Sequence, residues 1–279
     1  MKAQPYCYDC LASLVHRAAM LATPDEAVRR KAVAAGLEAL RAAFSPDRLT
    51  LVMAMEVHQV IRQVTGNPDP YLPVKQREMS ITHQLQDEVR LGYADNFQGR
   101  LKVAAAANAM DFFRDLNLLR DDLTRQVEFF IDQSVVLQQS AKRATRILYL
   151  ADNAGELHLD LPLLEWFRRC AEVPYVVKPA PIQNDATIED VNRSGYADRF
   201  APVITTGLAC PGVVFEQASD DFRREFERAD LVFAKGMGHW EGLSELQPEG
   251  KVFHCLMAKC QPVADSLGVP LNAYVACLR

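Results

Sequence analysis

The chain reads as an α/β protein in which a helical N-terminal region packs on a doubly wound, mostly parallel Rossmann-like sheet with helices on both faces. Three observations carry this reading. Up to about Ser140 the apolar residues recur at helical spacing. After Arg143 the pattern changes to short β-rich runs separated by amphipathic stretches. Those runs are apolar throughout instead of alternating, as strands covered on both faces are. The change of period divides the chain into a mainly helical N-terminal domain, 1–142, and an α/β metal- and phosphate-binding domain, 143–279.

In the first part, Leu11, Leu14, Val15 and Ala18 share one helix face, as do Val57, Val60, Ile61 and Val64. Ser45-Pro46-Asp47, Gly66-Asn67-Pro68-Asp69-Pro70 and Gly92-Tyr93 are breakers that cut it into about five or six helices. Ala104 to Ala107 lie in a helix whose small side chains allow close packing. In the second part, 146–150, 175–177, 203–206, 231–234, 252–256 and 271–275 are candidate parallel strands. The segments 157–169, 187–193, 220–228 and 258–267 have the lengths of crossover helices.

A chain of 279 residues with 49% hydrophobic content can bury a substantial core. Its apolar stretches are broken by charges well before the ~18 residues of a membrane helix, so no membrane partner is expected. With 31 basic and 36 acidic residues the formal charge is −5, and Lys and Arg do not cluster among aromatics. That argues against nucleic acid. Seven scattered cysteines, an odd number, do not resemble a secreted disulfide framework and fit a reducing cytoplasm. Cys7-Tyr8-Asp9-Cys10 is a CxxC that with a second pair would suggest a zinc site, but no CxxC or HxxxH partner follows.

The chemistry falls at strand ends. Asp152-Asn153-Ala154-Gly155-Glu156 follows the first run directly, Asn184-Asp185 the second and Thr205-Thr206-Gly207 the third. Lys235-Gly236-Met237-Gly238-His239 follows the fourth and Lys259 the fifth. Parallel strands direct their carboxyl ends to one rim, so these turns can share a cleft. There Asp152, Asn153 and Asp185 would offer two carboxylates and an amide oxygen, hard ligands suited to Mg²⁺ or Mn²⁺. The competing reading of Asn184 and Asp185 is a helix cap, with Thr187 and Asp190 forming a capping box; the division of roles stays open. Lys235 and Lys259 are the nearest cations, Lys259 the better placed for a phosphate oxygen because its neighbourhood is short of charge. Gly236 and Gly238 would let backbone amides approach an anion. No GxGxxG, GxxxxGK[ST] or GxSxG is present, which removes support for hydride transfer, P-loop chemistry and a serine elbow. His254 beside Cys255 lies inside an apolar run and reads as core.

The segments Asp152 to Glu156, Lys178-Pro179 through Asn184-Asp185-Ala186-Thr187 with Asp190, Ala229-Asp230 through Lys235-Gly236-Met237-Gly238, and Ala258-Lys259-Cys260 together resemble a known family. It is the metal-dependent damage-control phosphatases, the ARMT-like family catalogued as domain of unknown function 89. The CxxC and Asn108-Ala109-Met110-Asp111-Phe112 are similar to its compact prokaryotic branch. The resemblance implies a divalent cation, Mn²⁺ or Mg²⁺ with Co²⁺ or Ni²⁺ as alternatives, on Asp152, Asn153 and Asp185. It implies phosphate contact by Lys259, substrate contacts from Gly236, Gly238, His239 and Glu241, and an approach to the cleft by Asn108 and Asp111. His239 stands where the family generally has Asn, and Ala107 where it generally has Gly. The expected activity is hydrolysis of a small phosphomonoester, a sugar phosphate or damaged phosphometabolite, by metal-activated water, with Asp152, Asp185 and Lys259 catalytic. The alternatives are an S-adenosylmethionine-dependent carboxyl methyltransferase and a non-catalytic sugar-phosphate-binding module.

Overall fold

The computed structural model describes residues 1–109, 119–246 and 250–279. Seven strands form a single sheet: β1 (Phe129–Asp132), β2 (Ile147–Leu150), β3 (Tyr175–Val177), β4 (Val203–Thr205), β5 (Leu231–Lys235), β6 (Val252–Met257) and β7 (Tyr274–Leu278). Their order across the sheet is β1-β7-β6-β5-β2-β3-β4. Every neighbouring pair is parallel except β6 with β7. β2, β5 and β6 are buried along their whole lengths. Successive side chains go to opposite faces. Ile147 and Tyr149 join a core with α5 (Phe97–Ala107) and α8 (Leu157–Arg168), whereas Leu148 and Leu150 pack with Phe222 and Phe226 of α11 (Asp220–Arg228). Ala104, Ala105, Ala106 and Ala107 are all fully buried where α5 meets α8.

Two expectations are corrected. The last strand is not 271–275 running parallel but β7, which begins at Tyr274 and runs antiparallel to β6, with Met257 opposite Tyr274. Asn272 N–H donates to Ala258 O at 2.8 Å and Ala258 N–H to Ala273 O at 2.9 Å, so the chain turns back directly beside β6. α13 (Gln261–Leu267) is seven residues long. At 1.5 Å per residue it spans about 10 Å, half the ~20 Å of a six-residue strand, and it does not carry the chain back along the sheet. The second correction is β1, a strand within the stretch whose spacing reads as helical. It is four residues long with alternating half-buried and exposed positions, an edge strand too short to set a period.

The breakers fall where the sequence places them. Gly66 ends α3 (Thr50–Thr65) in the left-handed conformation at φ 68°, and Gly92 ends α4 (Leu72–Leu91). Asp25 caps α2 (Glu26–Ala43) by accepting from the N–H groups of Ala27 and Val28. α1 (Pro5–Ala22), α2 and α3 have a core of their own, with Val15, Leu40, Met53, Val57 and Ile61 fully buried. Leu51 of α3 meets Cys210 and Val214 of the loop after β4, which brings this three-helix group over the sheet's carboxyl-end rim. No helix among the described residues is long and apolar enough to cross a membrane. None of the cysteines forms a disulfide.

Candidate active site

From β2 the chain moves outward through β3 to β4, and from β5 in the opposite direction to β6. The boundary between β2 and β5 is therefore a topological switch point, where a crevice opens outside the strand ends. Leu150 is in register with Ala234, and two residues beyond each come Asp152 and Gly236, facing one another. Gly236 has φ +81°, and a Cβ there would lie 2.0 Å from Asp152 Oδ2. The glycine's role is thus to make room for the carboxylate. Its N–H is already given to Cys255 O at 3.1 Å, so it does not reach the cavity as an anion donor.

Asp185 arrives from the loop after β3. An antiparallel bridge joins Asn153 to Asp185, flanked by Ala186 N–H to Asp152 O and Ala154 N–H to Asn184 O, both 2.8 Å. Neither Asn184 nor Asp185 caps the next helix. Thr187 caps α9 (Ile188–Arg193) in a reciprocal capping box with Asp190. The Asn184 amide donates instead to Glu78 Oε2 of α4 at 3.2 Å. Asp185 is left to face the cavity.

Beneath the floor the amides are oriented by carboxylates. Asn108 Nδ2 donates to Asp152 Oδ2 at 2.8 Å and Glu156 Oε1 at 3.0 Å, while its Oδ1 accepts from Met257 N–H at 3.0 Å. Asn153 Nδ2 donates to the same two oxygens at 3.0 and 2.7 Å. Both donor interactions of Asn153 use its nitrogen, so Oδ1 is the atom left for a ligand. Glu156 and Asp160 form a fully buried ion triad with Lys235. Burial works against the Lys235 charge, but Asp160 and Glu156 outweigh it and hold the ammonium above its usual range. Lys235 is therefore a structural cation under the floor, whereas Lys259 lines the cavity.

A third lysine lies in a segment that carries the family resemblance but was not singled out from the sequence as a site residue. Lys178, 1% exposed, donates to Gly212 O and lies 3.4 Å from His239 Nε2 and 3.6 Å from Asp185 Oδ2. His239 Nδ1 is 2.6 Å from Lys235 O. A carbonyl only accepts, so Nδ1 carries the proton and the Nε2 lone pair faces the Lys178 ammonium. Burial first, then Lys178, hold His239 far below its usual pKa and keep it neutral. The imidazole sits behind the cavity wall and supports Lys178.

The cavity itself is about 370 Å³. Asp152, Asn153, Asp185, Gly238, Glu241 and Lys259 line it together, as does Asn184. Asn108, Gly236 and His239 lie immediately behind it; Asp111 falls outside the described residues. Glu241 accepts from the Thr50 hydroxyl of α3, and burial pushes its carboxyl up. Cys7, Cys10 and Cys260 also reach the cavity. A CxxC on a helical face carries no sequence signal that it will meet a strand end, so this placement is visible only in the fold.

The donors at the floor fit a hard cation. Asp185 Oδ2 is buried with no hydrogen-bond partner among the described residues. Burial raises the Asp185 carboxyl, which Lys178 and the Gly212 N–H partly offset. Desolvation, followed by the Glu156 and Asp185 carboxylates, pushes Asp152 well above the usual carboxylate range. A positive charge between Asp152 and Asp185 would relieve both. No group of three or more His, Cys, Asp or Glu side chains converges as a cation cage among the described residues. The available set is two carboxylates and the Asn153 amide oxygen, with open positions for water and substrate.

The matching sequence profile is that of the "Damage-control phosphatase ARMT1-like domain", over residues 3–275. A Pyrococcus horikoshii protein named a damage-control phosphatase is 33% identical over 287 residues, covering 100% of this chain and 98% of its own. An Archaeoglobus fulgidus protein with that name is 33% identical over 288 residues, covering 99% of each chain. The crystal structure of a domain of unknown function 89 protein from Pyrococcus horikoshii superposes with TM-score 0.89 at 32% identity, covering 100% of this chain and 99% of the other. Since the profile spans nearly the whole length and full-length relatives exceed 30% identity, the chain belongs to the damage-control phosphatase ARMT1-like family.

Proposed function

We propose that this protein is a divalent-metal-dependent phosphatase that hydrolyses small phosphomonoesters, the class that includes sugar phosphates and damaged phosphometabolites. The observation that carries the reading is the convergence of Asp152, Asn153, Asp185 and Lys259 on one cavity at the sheet's switch point. A divalent cation on Asp152, Asn153 and Asp185 supplies charge neutralisation at the phosphoryl group and acidifies water. Lys259 approaches the phosphoryl oxygens as a point charge. Lys178, held by Gly212 O and His239 Nε2, fixes Asp185 from behind. Asn108 and Glu156 hold the Asp152 carboxylate and the Asn153 amide in the orientation they need before substrate arrives. Water adds to phosphorus, the ester P–O bond breaks, and the proton lost by water accompanies the departing alcohol. Free thiols throughout fit a reducing, cytoplasmic setting.

The test is Mn²⁺ binding by calorimetry beside phosphate release, for the native protein and for Asp152→Ala and Asp185→Ala. Loss of Mn²⁺ binding and of turnover in both folded variants is expected. Native turnover that needs no cation, or variants that bind Mn²⁺ normally, would overturn the assignment.

A further inference from the structure

The cavity has two chemically distinct ends. Its floor holds the acidic, amide and lysine groups described above. Its wall includes Leu11 and Leu14 of α1 and Leu51 and Ala54 of α3, from the three-helix group, together with Met237 and Pro262. Leu11, Leu14 and Leu51 are each buried below 6% exposure in the helical cores, so they are fixed surfaces and not side chains that can swing aside.

Three of the side-chain donors on this wall are already engaged. The Thr50 hydroxyl is given to Glu241, the Asn184 amide to Glu78 at 3.2 Å, and the Gln261 amide to Asp265 at 2.6 Å. His239, which the family resemblance placed among the substrate contacts, is turned to Lys235 O and Lys178. Besides these, Gln183 contributes an amide, Glu241 the carboxylate that Thr50 meets, Tyr6 a phenol at the exposed mouth, and Cys7, Cys10 and Cys260 thiols, which are weak partners for a hydroxyl. A hydroxyl brought against Leu14 or Leu51 loses its water and gains no partner, whereas a methyl or aryl carbon there gains.

We infer that the phosphomonoester this site prefers has an apolar body: an alkyl or aryl alcohol, branched or compact, with its phosphate on the floor and its carbon skeleton against α1 and α3. The inference rests on the phosphatase reading for the orientation of the phosphate and narrows that reading from small phosphomonoesters in general.

The experiment compares isoamyl phosphate with ribose 5-phosphate, two primary esters matched in carbon number and leaving-group class, on Mn²⁺-loaded protein. Their non-hydrolysable phosphonate analogues are measured in parallel by calorimetry. We expect KM for the isoamyl ester to be at least about tenfold lower, the discrimination a hydrophobic pocket gives to a methylene or two, with the same order among the phosphonates. Leu51→Asn is expected to reduce that preference about tenfold, and Tyr6→Ser, at the 73%-exposed mouth residue, to reduce it by less while folding normally. Equal or reversed preference in both esters and phosphonates overturns the inference and leaves the phosphatase reading standing. Phosphonate preference for the isoamyl analogue without turnover of either ester overturns the phosphatase reading and leaves the apolar-body inference standing.

Discussion

A Cβ on Gly236 would stand 2.0 Å from Oδ2 and 2.2 Å from Cγ of Asp152. The two residues extend adjacent parallel strands, so the carboxylate at the end of β2 occupies space that any side chain at the end of β5 would fill. Gly236→Ala therefore meets both a clash and a left-handed φ of +81°. Strain of about 1–3 kcal/mol is expected in thermal denaturation. A displacement of the carboxylate by about 1 Å should lower phosphate release on the order of a hundredfold.

The two lysines near the strand ends should separate cleanly. Lys235→Met leaves Glu156 and Asp160 buried without their cation, and a loss of about 3–5 kcal/mol in denaturant unfolding follows. Lys259→Met, at a half-buried cavity position, should change stability by less than about 1 kcal/mol. It should reduce kcat on the order of a hundredfold or more.

Asn108 holds Asp152, Glu156 and the Met257 N–H at once. Asn108→Ala leaves buried polar atoms unpaired at a cost of about 1–3 kcal/mol. It should also weaken Mn²⁺ binding about 10- to 100-fold, the usual effect of removing a group that orients a ligand. Unchanged Mn²⁺ affinity in folded Asn108→Ala would show that the amide network does not prepare the site.

Acid lability should come in part from His254. Neither ring nitrogen has a hydrogen-bond partner among the described residues, and burial, with Arg279 adding, lowers its pKa to about 3. Unfolded, the imidazole titrates near its ordinary value of about 6.5. Above that pH neither state is protonated and the residue adds no pH dependence. As pH falls from about 6.5 toward 3 the unfolded chain binds a proton the folded one excludes, removing up to ~1.4 kcal/mol per pH unit. His254→Phe should therefore flatten the decline of melting temperature over that window, leaving the similar share of His58, lowered to about 4 mainly by burial.

Much of this was legible before folding. Five of the strand positions and the breaker positions in the helical part agree with the period and turn chemistry, because fully buried strands and Gly or Pro punctuation leave strong local signals. β7 was displaced because the apolar run starting at Leu271 includes a turn, with Asn272 at φ 64°, that only the pairing of Met257 with Tyr274 reveals. Asp152 and Asn153 could be read because they follow β2 almost at once, and Asp185 because it lies in the Asn-Asp turn between β3 and the next helix. Glu78 and the apolar wall from α1 and α3 could not, since they reach the site through packing between segments far apart in sequence; Lys178 directly follows β3, but its contacts with Gly212, His239 and Asp185 are visible only in the fold. His239 shows the same limit: the family resemblance implied a substrate contact, while its neighbours in space are Lys235 O and Lys178.

In the proposed function, the oxygen donors of Asp152, Asn153 and Asp185 must hold a divalent cation before phosphomonoesters are hydrolysed. The most direct measurement is inorganic phosphate release by EDTA-stripped protein before and after addition of Mn²⁺, Mg²⁺, Co²⁺ or Ni²⁺. The predicted result is negligible release from stripped protein and restoration on adding a cation. Release from stripped protein as fast as from the loaded form would contradict it, as would no release from folded, cation-loaded protein.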